Sequence, residues 1–278
     1  MRRLIAVPIA ASLLAFAAMP MAQAAPTKAY GLTAKLTDTS IVLGDYVKVG
    51  GTVTGPGAVG SKVRVYIHYA NYESGVYDYL GYDLVDSDGK YSKKIRPTDS
   101  GDTVVKVVKD ASSSRKRATK SLNLDTYGWL ELGQLTKTVE HGVVSASEVS
   151  YGNGDRTYSE GFLFKLDGRA HWDLHKKCTK YDGNSGMDDS SVSGSFGQAK
   201  PIAQRSSGTT IREGSAVSRS QGDAAKHETL KLYAASDHSV RARYLEITTQ
   251  VDGSGTPAWA LGAPAVYCNL PGGIFEED

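Results

Sequence analysis

Three carboxylates, Asp182, Asp188 and Asp189, crowd a short stretch that also holds Asn184 and Ser190. Hard oxygen donors at that density can ligate Ca²⁺, which takes about six to eight oxygens in irregular geometry. The spacing is not that of an EF-hand loop, and an aspartate after a strand serves equally to accept loop N–H groups. His171 and His175 would share a face of a helix and could hold zinc, but this stretch alternates like a strand. Two residues four apart on a strand stand roughly 13 Å from each other. Flat rings are the groups best suited to sugars, because they stack on the apolar face of a pyranose. Trp172, Tyr181 and Trp259 are the candidates, with Asp188 and Asp189 as hydroxyl partners, and each ring has a competing place in a β-core. No Gly-x-Ser-x-Gly elbow occurs and no carboxylate pair is singled out by spacing, so the chain is read as non-catalytic.

A second aromatic group lies earlier. Tyr66, Tyr69, Tyr72, Tyr77, Tyr79 and Tyr82 fall so close together that some must face solvent, which predicts an amphipathic surface able to hold another protein. Cys178 and Cys268 are the chain's two cysteines. In an exported chain such a pair reads as one disulfide, with two free thiols or half of a metal site as the rival readings. Closing a loop of about ninety residues stabilises by roughly 4–5 kcal/mol on the chain-entropy model.

The elements that must position these groups are strands. Alternating apolar runs over 32–36, 46–53, 62–69, 77–85, 91–95, 103–109 and 119–124 are separated by turn signals at 55–57, 86–89 and 100–102, the pattern of a sandwich over 30–125. Asp88-Gly89-Lys90-Tyr91-Ser92, leading into Ile95-Arg96-Pro97, resembles the edge hairpin of bacterial immunoglobulin-like domains. Alternation returns over 161–165, 170–174, 192–196, 228–233 and 243–250, with long Ser- and Gly-rich loops expected within 184–222. No amphipathic helix of three turns is found beyond the N-terminal segment.

Gly161, Trp172-Asp173-Leu174, Cys178, Tyr181 and Gly186-x-Asp188-Asp189 occur in the order of a family run. That run is Gly-apolar-Gly-x-His, Tyr-Asp-Leu, Cys or Tyr, Phe, then Gly-x-Asp-Asp. About half of the chain thus resembles the NPCBM family of carbohydrate-binding modules, with Trp259 and Cys268 where such domains close. Lys165 stands where the family usually carries His, and Gly168 where it often carries Ser. The resemblance implies a jelly-roll, galactose-binding-like sandwich over 127–270 that binds glycan or cell-surface polysaccharide. The expected fold is therefore all-β: an immunoglobulin-like sandwich (30–125), then the NPCBM-like one (127–270), closely joined, then an acidic tail (271–278).

Met1-Arg2-Arg3, the apolar stretch 4–18 and Ala22-Gln23-Ala24 read as a signal peptide over 1–24, so a secreted protein is expected, free of the membrane after cleavage. The leader carries Arg2 and Arg3, and without them 30 basic residues balance 30 acidic ones. Such neutrality gives no electrostatic reason to seek nucleic acid. The expected partners are an extracellular glycan or, alternatively, another extracellular protein docked on the Tyr-rich region. No cofactor is expected other than Ca²⁺ at the acidic loop.

Overall fold

The computed structural model describes residues 28–273; the expected leader (1–24) and residues 274–278 of the expected tail lie outside them. The chain is all-β, with no α-helix among the described residues. In its first part β1 (Gly31–Leu32), β2 (Lys35–Leu36), β4 (Val47–Thr54) and β7 (Lys90–Ile95) make a small antiparallel sheet centred on β4. A second sheet sets β6 (Asp78–Leu84), β5 (Lys62–Tyr69), β8 (Gly101–Lys109) and β9 (Ala118–Glu131) side by side, with β3 (Ser40–Val42) parallel to β9. Strand β5 shows why: Val63, Val65 and Ile67 are fully buried, while Lys62, Arg64, Tyr66 and His68 take the other face, the two-residue period of a pleated strand. Val47, Val49, Val105 and Leu124 complete that core.

Strand β9 then runs on through the boundary expected near residues 125–127. Ala118 to Thr126 pair with β8, and Gly128 to Glu131 pair with β20 (Ala258–Cys268). After a 3-10 turn at Leu132–Gln134, β10 (Lys137–Ala146) runs beside β13 (Gly161–Asp173), with the small hairpin of β11 (Val149–Tyr151) and β12 (Arg156–Tyr158) between them in sequence. Strand β14 (Cys178–Met187) lies between β20 and β18 (Lys226–Lys231). Strand β15 (Phe196–Gln204) pairs with β16 (Thr210–Glu213), β17 (Val217–Ser220) and β19 (Tyr244–Asp252). A second core gathers Phe164, Trp172, Tyr181, Leu245, Ile247 and Trp259.

Two expectations are corrected. Residues 161–165 and 170–174, read as two strands around a turn, form the single bent strand β13, which pairs with β20 before the bend and with β19 after it. Leu166 takes a φ of 50° there, and Gly168 is needed because a Cβ would stand 2.8 Å from that of Phe164. The strand expected over 192–196 is instead a turn over 192–195, with the Ser195 N–H bonded to the Val192 carbonyl at 3.0 Å, and β15 begins at Phe196. The disulfide joins Cys178 to Cys268, direct partners across the β14–β20 ladder.

Candidate functional site

Trp172, Tyr181 and Trp259 do not face solvent. All three are 0% exposed, so the stacking role expected of them is corrected. They sit on core-facing positions of β13, β14 and β20, and Trp172 meets Phe162 edge-on at 5.2 Å. Their indole N–H and phenol groups have no hydrogen-bond partner among the described residues. Burying rings of this size outweighs a lost hydrogen bond of about 1–3 kcal/mol.

The acidic stretch divides. Asp188 accepts the Ser150 N–H at 3.3 Å and the Ser190 N–H at 3.0 Å; Asp189 accepts those of Asn153 at 2.9 Å and Gly154 at 2.7 Å. Asp189 thus holds the β11–β12 turn and Asp188 ties β11 to the loop after β14, with their oxygens given to backbone amides. Asp182 lies apart on the outer face of β14, bonded to His227 at 2.7 Å with Lys180 at 3.4 Å. The structure does not bring the three together, and no group of three or more His, Cys, Asp or Glu side chains among the described residues is arranged to hold a metal. His171 is also occupied: with Arg169 and Gln204 it hydrogen-bonds the buried Glu246. Burial raises the Glu246 carboxyl, but the bonds from Arg169 and His171 outweigh it and hold the group below its ordinary range. His175 lies in the turn after β13, its N–H on Asp173 at 2.8 Å.

An aromatic platform does exist, on the outer face of β9 and β20. Gly128 and Leu130 point inward, so Tyr127, Trp129 and Glu131 point outward. Tyr267 pairs with Trp129 across the ladder. Its ring lies 5.6 Å from that of Tyr127, nearly parallel, and 5.4 Å from that of Trp129. All three rings are half-buried. Lys180, the β14 partner of Tyr267, places its ammonium 5.0 Å from the Trp129 ring, and Arg241 donates to the Tyr127 hydroxyl at 2.9 Å. The Cys178–Cys268 bridge sits next to this row and fixes β14 against β20. Burial first, then Asp45 and Tyr127, push the Tyr267 phenol up.

Two clefts open along the row. One, of about 580 Å³, is lined by Tyr127 and Tyr267 with Tyr46, Asp45, Thr179 and Arg241. The other, of about 480 Å³, is lined by Glu131, Glu160, Tyr158 and Ser145. There a hydrogen bond with Glu160, then burial, raises the Glu131 carboxyl. The sequence signal for this site was the alternation Tyr127-Gly128-Trp129-Leu130-Glu131, which puts two rings and a carboxylate on one face of a strand.

The tyrosine-dense region forms a separate surface on the outer face of β5 and β6. Tyr79 is 54% and Tyr82 44% exposed, while Tyr69 is core. Tyr66 packs on Tyr79 at 5.3 Å, His68 on Tyr77 at 5.2 Å, and Tyr72 turns its hydroxyl to Asp78 at 2.7 Å.

No known family model matches the chain, and no curated protein does. Among solved structures it is similar to a carbohydrate-binding module of the β-sandwich superfamily at 10% identity and a TM-score of 0.30, over 85% of this chain and 97% of that one. It is also similar to the enzymatically active domain of bacteriophage CBA120 tailspike protein 4, at 13% and 0.25, over 51% of this chain and 19% of that one. The VP2 subviral particle of infectious bursal disease virus gives 13% and 0.27, over 87% of this chain and 58% of the other. Likenesses this distant assign the chain no ligand.

Proposed function

We propose that the protein is an exported, non-catalytic, two-sandwich protein that binds extracellular polysaccharide along the outer face of β9 and β20. The observation that carries this reading is the row Tyr127, Tyr267 and Trp129: rings held side by side by cross-strand pairing, partly open to solvent, with a cleft at each end. A sugar ring stacks on the aromatic surface while Lys180, Arg241, Thr179 and Asp45 supply donors and acceptors for its hydroxyls. The row from Tyr127 to Glu131 spans roughly 13 Å, enough for a few sugar units of an extended chain. Stacking and hydrogen bonds to uncharged hydroxyls are weakly screened, so binding resists moderate salt.

The test is retention of the full chain on insoluble polysaccharides together with a glycan array. Trp129→Ala or Tyr267→Ala weakens binding by roughly thirtyfold, the effect of removing an aromatic anchor of about 2 kcal/mol. Binding left unchanged by both substitutions, or no binding to any glycan, overturns the reading.

A further inference from the structure

The outer face of β5, β6 and β8 holds a second arrangement that the β9 platform does not use. Along β5, Lys62, Arg64, Tyr66 and His68 point outward in succession; Tyr82 and Tyr79 of β6 lie opposite Arg64 and Tyr66. On the other side Lys106 of β8 lies opposite Tyr66, and Ser121 of β9 opposite Lys106. The Lys62 ammonium stands 4.3 Å from the centroid of Tyr82, and that of Lys106 4.3 Å from the centroid of Tyr77. The carboxylates nearby are committed elsewhere. Asp110 pairs with Arg64 at 3.0 Å, Asp78 accepts from Tyr72, and Asp83 accepts the Ser92 N–H at 2.6 Å. Lys62 and Lys106 form no ion pair among the described residues; tyrosine rings are their neighbours.

From this juxtaposition we propose that the face is a docking surface for an acidic polysaccharide, a polymer of carboxylate-bearing sugars. Its two unpaired cations, Lys62 and Lys106, stand on neighbouring strands and four positions apart along them, roughly 13 Å, with Arg64 between them paired to Asp110. So sparse a set suits a polymer whose carboxylates are set a whole sugar unit apart. A nucleic acid, with a charge about every 1.7 Å of duplex, calls for a denser and more numerous set. The phenol hydroxyls of Tyr79 and Tyr82 and the side chains of Thr119, Ser121 and Asn123, all exposed, are matched to sugar hydroxyls. The surface is separate from the β9 row, and the inference stands or falls without it.

The experiment is affinity electrophoresis of the full chain through gels carrying polygalacturonate, alginate, fully methyl-esterified pectin or single-stranded DNA. The two acidic polymers retard the protein, and less so as salt rises. The double substitution Lys62→Gln with Lys106→Gln weakens this about tenfold, two exposed charge contacts' worth, without shifting the thermal midpoint. Tyr79→Ser weakens it also, and the double substitution causes the same fold loss in a Trp129→Ala background. Absence of retardation by both acidic polymers overturns the proposal, as does equal retardation by the esterified pectin. Equal retardation by DNA replaces it with general polyanion binding, and indifference to all three substitutions on the face places the binding elsewhere.

Discussion

Trp129 and Trp259 show how much one ring's fate depends on its strand neighbours. Beside Trp129, Leu130 is buried and Glu131 is not, so alternation alone puts the ring outside. Beside Trp259, Ala258 and Ala260 are buried as well; both faces of β20 are covered there, and alternation carries no information. Trp259→Ala therefore costs roughly 3–5 kcal/mol in chemical denaturation, the usual price of emptying a core site. Trp129→Ala costs about 1 kcal/mol or less, because its site is partly solvated. A second residue-scale effect belongs to Glu228. It is 7% exposed, points into the second core, and accepts from Ser185. Burial raises its pKa from 4.5 to about 8. The folded state thus keeps a proton that the unfolded chain releases, so this group's stabilisation is complete below pH 4.5 and lost as pH rises from 4.5 to about 8. The loss is at most roughly 5 kcal/mol. Thermal melts of Glu228→Gln show a flatter decline across that window than the parent; an identical decline means the carboxyl is not the cause.

At the scale of elements, most strands of the first part were legible, although 32–36 divides into β1 and β2 and β3 was not foreseen, and several of the second were not. Residues 62–69 alternate cleanly and carry bulky side chains, and β5 occupies those bounds. Turn residues did equal service: Asp86 accepts the Lys90 N–H, and Gly89 turns with φ 76° just before β7. Strand β14 was missed because Gly183, Asn184, Ser185 and Gly186 read as loop. Gly183 is glycine for packing: a Cβ would stand 2.6 Å from the Tyr181 hydroxyl. The platform was missed for another reason, since half of it comes from β20, distant in sequence, and no local pattern announces which strand will lie beside β9. The disulfide was foreseen from two cysteines in a chain read as exported, and its place in the β14–β20 ladder gives it a further consequence. Replacing Cys178 and Cys268 together by Ala lowers stability by about 4 kcal/mol. It also weakens polysaccharide binding, because Lys180 and Tyr267 flank the bridge. A melt unchanged from the parent counts against the first expectation, and full affinity against the second.

For the whole molecule, the decisive element is β9, shared by both cores. Further contacts tie the same ends together. Lys177 and Asn269 reach Asp102 at 2.8 and 2.6 Å, and the N–H groups of Gly272 and Gly273 bond Asp99 and Ser100 at 2.8 and 2.7 Å. With no free linker between the cores, calorimetry gives one cooperative transition. Two well-separated transitions would show that the cores melt independently.

The shared strand also has a mechanical meaning. The ladder bonds of β9 lie across its axis, so a pull along the strand strains many of them at once instead of peeling them one by one. If a polymer binds at Trp129 as proposed, a pull on it loads β9 in this way. Tension then passes through a covalent backbone from one core into the other, with no slack tether to take it up.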